Sequence, residues 1–112
     1  MKPRIMYIEY KGNEITGPAR IGRVSFSKTG RSLYYKNKTL LPIQGYKTNH
    51  ADSETGEEYW VSGCRRDGND RLYPGVVEVD EDVREEYWTQ IRKRPENKHL
   101  SRFRSPGKYP AD

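Results

Sequence analysis

The chain has 112 residues, 32% apolar and 33% charged, with a formal net charge of +5 and an isoelectric point near 9.3. That length supports one hydrophobic core and excludes two, while nine Tyr, two Trp and two Phe supply enough bulky, strand-favouring surface to argue against a disordered chain. A single cysteine, Cys64, excludes an internal disulfide and a cysteine-built metal cage.

The first strand is expected from Ile5 to Tyr10, with Met6, Ile8 and Tyr10 on one face, and Lys11-Gly12-Asn13 as its turn. A second strand spans Ala19 to Phe26. Its apolar residues change parity between Ile21 and Val24, and Gly22 at the switch reads as a β-bulge bending the strand round a barrel corner. Ser27 to Arg31 is a hairpin loop with Gly30 in the left-handed position. It leads into Ser32 to Tyr35, with Leu33 and Tyr35 inward and Tyr34 outward. After a turn at Lys36-Asn37-Lys38, a short strand runs through Leu41 and Ile43, placed near an edge by Pro42.

Tyr46 to His50 is a further strand candidate. Asp52-Ser53-Glu54-Thr55-Gly56 reads as a loop whose side chains bond their own backbone. Glu58 to Ser62 places Tyr59 and Val61 on one face and Trp60 on the other. Asp67-Gly68 is the strongest hairpin signal and predicts a strand at Arg71-Leu72-Tyr73. Pro74-Gly75 turns the chain into Val76 to Val79. A helix is predicted over about 81–93, with Asp80 as N-cap, an apolar stripe of Val83, Tyr87 and Ile91 beside Trp88, basic residues Arg92-Lys93-Arg94 in the last turn, and Pro95 as the stop.

These elements predict a mainly β (α+β) fold, a small, strongly bent antiparallel sheet or partly open SH3-like barrel with one C-terminal helix. Residues 1–94 form the single domain and 95–112 a basic tail, extended or disordered. The expected core is Ile8, Ile21, Val24, Phe26, Leu33, Tyr35, Leu41, Val61, Leu72, Val77, Val79, Val83, Tyr87 and Ile91.

No apolar run reaches the length of a membrane helix. Met1 to Tyr7 is followed by Glu9 and Lys11 rather than a signal-peptide core. The cytoplasm is therefore the expected compartment, and Asn37-Lys38-Thr39 is not expected to carry a glycan.

Charge lies in blocks. Residues 1–50 hold ten Lys/Arg against two Glu, and residues 76–91 hold six acids against one Arg. A basic front with an acidic segment behind it can bind a polyanion or mask part of its own surface. Cations with exposed rings are the means by which small barrels hold single strands. The expected function is thus a small binding module for RNA or single-stranded DNA. Its candidate residues are Arg23, Lys28, Arg31, Tyr34, Lys36, Lys38, Trp60, Arg65 and Arg66. An alternative is a protein-interaction adaptor or inhibitor using the loop of Asp52, Glu54 and Glu57. A third reading is a small enzyme around His50, Asp52 and Cys64, as base, orienting carboxylate and nucleophile.

Two motif-like stretches fail on context. Gly22 to Thr29 has P-loop spacing, but a β-pattern stands where the glycine-rich loop and helix belong. Asp67 to Glu78 imitates a calcium loop, but Leu72 replaces its glycine and Arg71 an oxygen ligand. No catalytic residue, metal site or cofactor is assigned. The expected partners are nucleic acid or an acidic protein surface, with no membrane. Oligomeric state is left open.

Gly17-Pro18-Ala19-Arg20-Ile21-Gly22-Arg23-Val24-Ser25-Phe26-Ser27-Lys28-Thr29-Gly30, together with Glu54-Thr55-Gly56-Glu57-Glu58-Tyr59-Trp60 and Asp80-Glu81-Asp82-Val83-Arg84-Glu85-Glu86-Tyr87-Trp88, resembles a family of small, uncharacterised bacterial proteins over nearly the whole chain. Some members carry the label of a deoxyxylulose-phosphate synthase, a large thiamine-diphosphate enzyme. A chain of 112 residues without a cofactor-binding α/β domain lacks what that enzyme needs. The resemblance implies a bacterial setting and no site residues.

Overall fold

The computed structural model describes residues 2–12, 14 and 16–109, so Asn13 of the first expected turn and the last three residues of the expected tail lie outside the described residues. The strands are β1 (Arg4–Gly12), β2 (Ala19–Phe26), β3 (Leu33–Tyr35), β4 (Lys38–Gly45), β5 (Thr48–Asp52), β6 (Glu58–Gly63), β7 (Gly75–Val79) and β8 (Arg102–Ser105). β1 to β6 pair antiparallel in chain order, and β6 pairs back with β1. The barrel is closed, which removes the free edges that an open sheet of this size would expose. β7 lies parallel to β2, and β8 lies antiparallel to β7, forming a two-stranded wing beside the barrel.

β2 explains the parity change seen in its sequence. It carries no bulge at Gly22, because its pairing with β1 runs unbroken from Arg4↔Val24 to Glu9↔Ala19. Instead, its two faces are buried along different stretches against different cores, the outer face at Ala19 and Ile21 and the inner face at Gly22 and Val24, while Arg23 and Ser25 are exposed. Ala19 and Ile21 pack outside the barrel with Val77, Val79, Val83, Tyr87 and Trp88. Val24 packs inside with Met6, Ile8, Leu33, Tyr35, Leu40, Tyr59 and Val61, and Phe26 flanks that inner cluster. β1 is shared in the same way, with Ile5 and Tyr7 facing outward into the first cluster and Met6 and Ile8 facing inward into the second. The register irregularities occur in other places, between Tyr10 and Gly12 and between Pro42 and Gly45.

Other expectations shift for identifiable reasons. Leu41 is 42% exposed while Leu40 is fully buried, so β4 has the opposite parity from that expected. Phe26, Leu72 and Ile91 are half-buried. No strand forms at Arg71-Leu72-Tyr73. The Asp67-Gly68 turn exists, with the Asn69 N–H donating to Asp67 at 2.9 Å. The chain beyond it is then held by the buried Arg71, whose guanidinium donates to Gly17 O at 2.9 Å, Thr16 Oγ1 at 2.7 Å and Tyr73 O at 3.1 Å. A strand would have paired this backbone with a neighbour. Here the side chain ties it to the β1–β2 connection.

The helical segment covers 81–91 as a 3-10 turn (Glu81–Val83), one α-turn (Arg84–Glu86) and a π-turn (Tyr87–Ile91). Asp80 precedes it but makes no side-chain cap bond. The widened last turn, closed by Arg92 N donating to Tyr87 O, buries Tyr87 and Trp88 together. Arg92 folds back over the rings of Trp88 and Phe103 at 4.9 and 4.8 Å instead of serving the helix dipole. Beyond the helical segment the chain makes a 3-10 turn (Pro95–Asn97) before β8, where Phe103 pairs with Val77 and joins the outer core.

Gly22 is where the two cores meet. It faces the barrel interior, and a Cβ there would lie 2.5 Å from Asp80 Oδ2 and 2.5 Å from Tyr35 Cε1. Overpacking of this kind costs about 1–3 kcal/mol. Gly22→Ala is accordingly expected to lower unfolding free energy by about 2 kcal/mol or more in denaturant titration; an unchanged midpoint would contradict this packing.

Candidate binding site at the barrel mouth

β3 and β7 both pair with the same edge of β2, β7 along Ala19–Ile21 and β3 along Ser25–Phe26. Between them the edge parts, and a pocket of about 310 Å³ opens at the barrel mouth. Its walls are Ile8 and Tyr10 of β1, Ala19 and Arg20 of β2, Tyr35 of β3, Tyr59 of β6 and Val76 of β7, with Lys36, Lys38 and Glu78 at the rim. The interior is mainly apolar. Tyr10 and Tyr59 meet edge to face at 5.3 Å between ring centres, and the Tyr10 hydroxyl donates to Glu57.

Asp80 holds three of the lining residues, Arg20, Tyr35 and Lys36. It is 4% exposed, its backbone N–H donates to Ile21 O, and its carboxylate accepts from Tyr35 Oη at 2.5 Å and Arg20 Nε at 2.7 Å. Lys36 Nζ stands 3.6 Å away. Burial, reinforced by the bond to Asp80, pushes the Tyr35 phenol well above its ordinary range. Tyr35 is therefore a neutral donor at every physiological pH. Lys36 adopts φ +53° in the β3–β4 turn, a conformation that costs a non-glycine residue about 1 kcal/mol, and its cation sits 5.5 Å over the Tyr35 ring. Lys38 Nζ lies 3.5 Å from Asp52.

The wing adds cations that the sequence reading assigned to a tail. In the β7–β8 register, Arg104 pairs with Val76 and Arg102 with Glu78. This places both exposed arginines on the face that carries the two β7 lining residues. Arg20 reaches the same Glu78 at 3.5 Å.

Of the nine expected nucleic-acid residues, only Lys36 and Lys38 line this pocket. Lys28 and Arg31 are exposed on the β2–β3 loop, at the far end of β2 and about 20 Å along the strand from Arg20. Arg65 and Arg66 follow the end of β6, also at the far end, and Arg65 is engaged by Asp67 through two bonds of 3.1 Å. Arg23 points outward and pairs with Glu86 at 3.0 Å. Tyr34 is outward and 42% exposed. Trp60 is half-buried against the outer core rather than free on the surface. In the alternative loop, Asp52 is buried and accepts the N–H groups of Glu54 and Thr55, the first of which holds its carboxyl below the usual range. Glu57 is taken by Tyr10, and Glu54 is exposed.

The structure separates the enzyme candidates. His50 pairs with Tyr59 across β5 and β6, and Cys64 lies five residues further along, about 16 Å away at strand spacing. Its thiol faces Ile5 O at 3.7 Å, and burial pushes it up to about 12, away from nucleophilic character. Burial lowers the pKa of His50, whose Nδ1 is 2.9 Å from Asn49 Oδ1. Among the described residues no group of three or more His, Cys, Asp or Glu could hold a metal, and no helix is long and apolar enough to cross a membrane.

No family model, curated protein or solved structure matches the chain.

Sequence reasoning missed a buried polar layer on the outer face of β1. Glu9, Lys11, Asp70 and Arg71 are all at most 5% exposed. Glu9 accepts from Tyr7 Oη at 2.6 Å and Gly17 N at 3.1 Å, and Lys11 lies 3.7 Å from it. Strict alternation along Glu9-Tyr10-Lys11 gave the only signal, and it reads as a solvated face. Asp70 accepts the Arg65 N–H at 2.8 Å through Oδ1, while its Oδ2 is buried without a partner. Burial pushes its carboxyl up to about 6. Because the folded state holds this proton more tightly than the unfolded chain, Asp70 costs no stability below pH 4 and costs progressively more as pH rises to 6, about 3 kcal/mol in all. Asp70→Asn is expected to flatten the fall in unfolding free energy between pH 4 and 6; a variant that retains the wild-type slope there would contradict the assignment.

Proposed function

We propose that the barrel mouth binds single-stranded RNA or DNA, one base entering the tyrosine-lined pocket while neighbouring phosphates lie along Lys36, Lys38, Arg102 and Arg104. The observation that carries this reading is the pocket itself: about 310 Å³, walled by Tyr10, Tyr35 and Tyr59, with cations contributed by a turn and a separate wing. That volume is at the small end of ligand pockets, suited to a nucleobase, and base–aromatic contact is tolerant of sequence. The strained Lys36 supports the assignment, because a turn that needed only its backbone would place glycine or asparagine there.

Charge masking favours this end of the molecule. On the outer face the acidic helical segment lies against the sheet, and Glu86 pairs with Arg23. At the mouth, Arg102 and Arg104 remain exposed. Short β8 carries these arginines on the sheet's outer edge, a composition that resists pairing with a foreign strand and disfavours β-augmentation as its role.

Anisotropy of labelled oligo-uridine and oligo-thymidine across a salt series tests the proposal. Four phosphate contacts predict a slope of log affinity against log salt of about −3. Arg102→Ser and Arg104→Ser should each make it shallower by about one contact's share, whereas Lys28→Ser and Arg31→Ser at the far end should leave it unchanged. Absence of binding at low salt, a flat salt response, or equal effects from both ends would contradict the proposal.

A further inference from the structure

A second cavity, of about 130 Å³, lies on the opposite face of β1 from the mouth, where Glu9 and Lys11 alternate with the inward-facing Ile8 and Tyr10. Trp60, which pairs with Glu9 in the β1–β6 register, forms one wall with Leu72, and Asp70, Lys47 and Lys108 complete it. The volume corresponds to about four water molecules at ~30 Å³ each, too small for a nucleotide and comparable with glycine or alanine.

Three features make this a built site. Asp70 is 5% exposed and its Oδ2 has no hydrogen-bond partner, an arrangement that costs free energy unless a donor arrives. Glu9, by contrast, is satisfied by Tyr7, Gly17 and Lys11 and has no such demand. At the rim, Lys47 is held at φ +56°, with its Nζ 3.2 Å from Tyr73 Oη and between the rings of Tyr46, Tyr73 and Tyr109 at 5.3 to 5.6 Å. Lys108 is brought over the cavity by the chain end: its N–H donates to Arg71 O at 2.9 Å and that of Tyr109 to Leu72 O at 2.7 Å. Gly107, at φ +82°, allows this course, since a Cβ there would lie 2.6 Å from backbone atoms of Tyr73 and Pro74.

The cavity thus has in its wall a residue with a buried carboxylate oxygen in need of a donor, and lysines among its other lining residues. We propose that it binds a small zwitterion of the α-amino-acid class, the ligand's ammonium on Asp70 Oδ2 and its carboxylate toward Lys108. The apolar ring of Trp60 leaves space for no more than a short side chain.

Calorimetric titration of the full chain with glycine and L-alanine, with the Trp60 indole signal followed by NMR, tests the proposal. Acetate and methylammonium serve as half-ligands, each expected to bind at least about tenfold more weakly than glycine. Asp70→Asn and Lys108→Met are each expected to weaken glycine by a similar factor; Lys108 is exposed, so its variant tests the idea even if Asp70→Asn folds poorly. Mouth variants should have no effect, which separates this outcome from the nucleic-acid reading. Heat and indole shift absent at millimolar glycine, methylammonium binding as tightly as glycine, or Lys108→Met binding unchanged would each overturn the proposal.

Discussion

The structure depends on one carboxylate. Asp80 follows β7, and its side chain enters the gap where β7 and β3 separate along the edge of β2, accepting from Tyr35 of the barrel and Arg20 of the shared strand. A buried carboxylate without partners would be strongly unfavourable. With two charge-assisted or short hydrogen bonds and Lys36 nearby, it becomes the joint between the barrel and the layer of wing and helical segment. Gly22 is the steric condition for that joint, since any side chain at this position would occupy the space of Asp80 Oδ2 and the Tyr35 ring.

From this joint the two-core design follows. β1 and the first half of β2 are buried on both faces, so a chain with only 32% apolar residues makes each central strand serve two clusters. The inner cluster fills a narrow barrel; the outer one is made by Val77, Val79, Val83, Tyr87 and Trp88, to which Phe103 adds a ring stacked 5.9 Å from Tyr87. The mouth pocket is the by-product of the same geometry. Where β2 exchanges one neighbour for the other, two strands diverge and leave a tyrosine-lined opening whose rim collects cations from distant parts of the chain.

The positions of most strands were legible from sequence, and their order in the sheet was not. Turn residues marked most boundaries, and Gly30 adopts the left-handed conformation expected of it, at φ +77°. The parity change in β2 was also a true signal with a different cause: periodicity reports which residues are apolar, and a strand between two cores shows the same break as a bulged strand against one. Leu40 and Leu41 are adjacent and equally apolar, so only the pairing Leu40↔Leu33 decides which is inside. Asp80 looked like a helix cap because capping and a long-range ion pair use the same residue type; the partners, Arg20 and Tyr35, are sixty and forty-five positions away. That Arg102 and Arg104 share a face with the pocket-lining Val76 and Glu78 was invisible for the same reason, since it comes from the pairing of β8 with β7 and not from any local pattern.

The claim that Asp80 joins the two cores through Tyr35 is tested most directly by a double-mutant cycle on unfolding free energy with Tyr35→Phe, Asp80→Asn and the pair. Both substitutions keep shape; Tyr35→Phe removes the donor, and Asp80→Asn removes the charge that strengthens the bond. The account predicts a coupling energy of about 1–3 kcal/mol between the two sites, in the range for residues that share a buried hydrogen bond. Additive effects, with a coupling indistinguishable from zero, would contradict it.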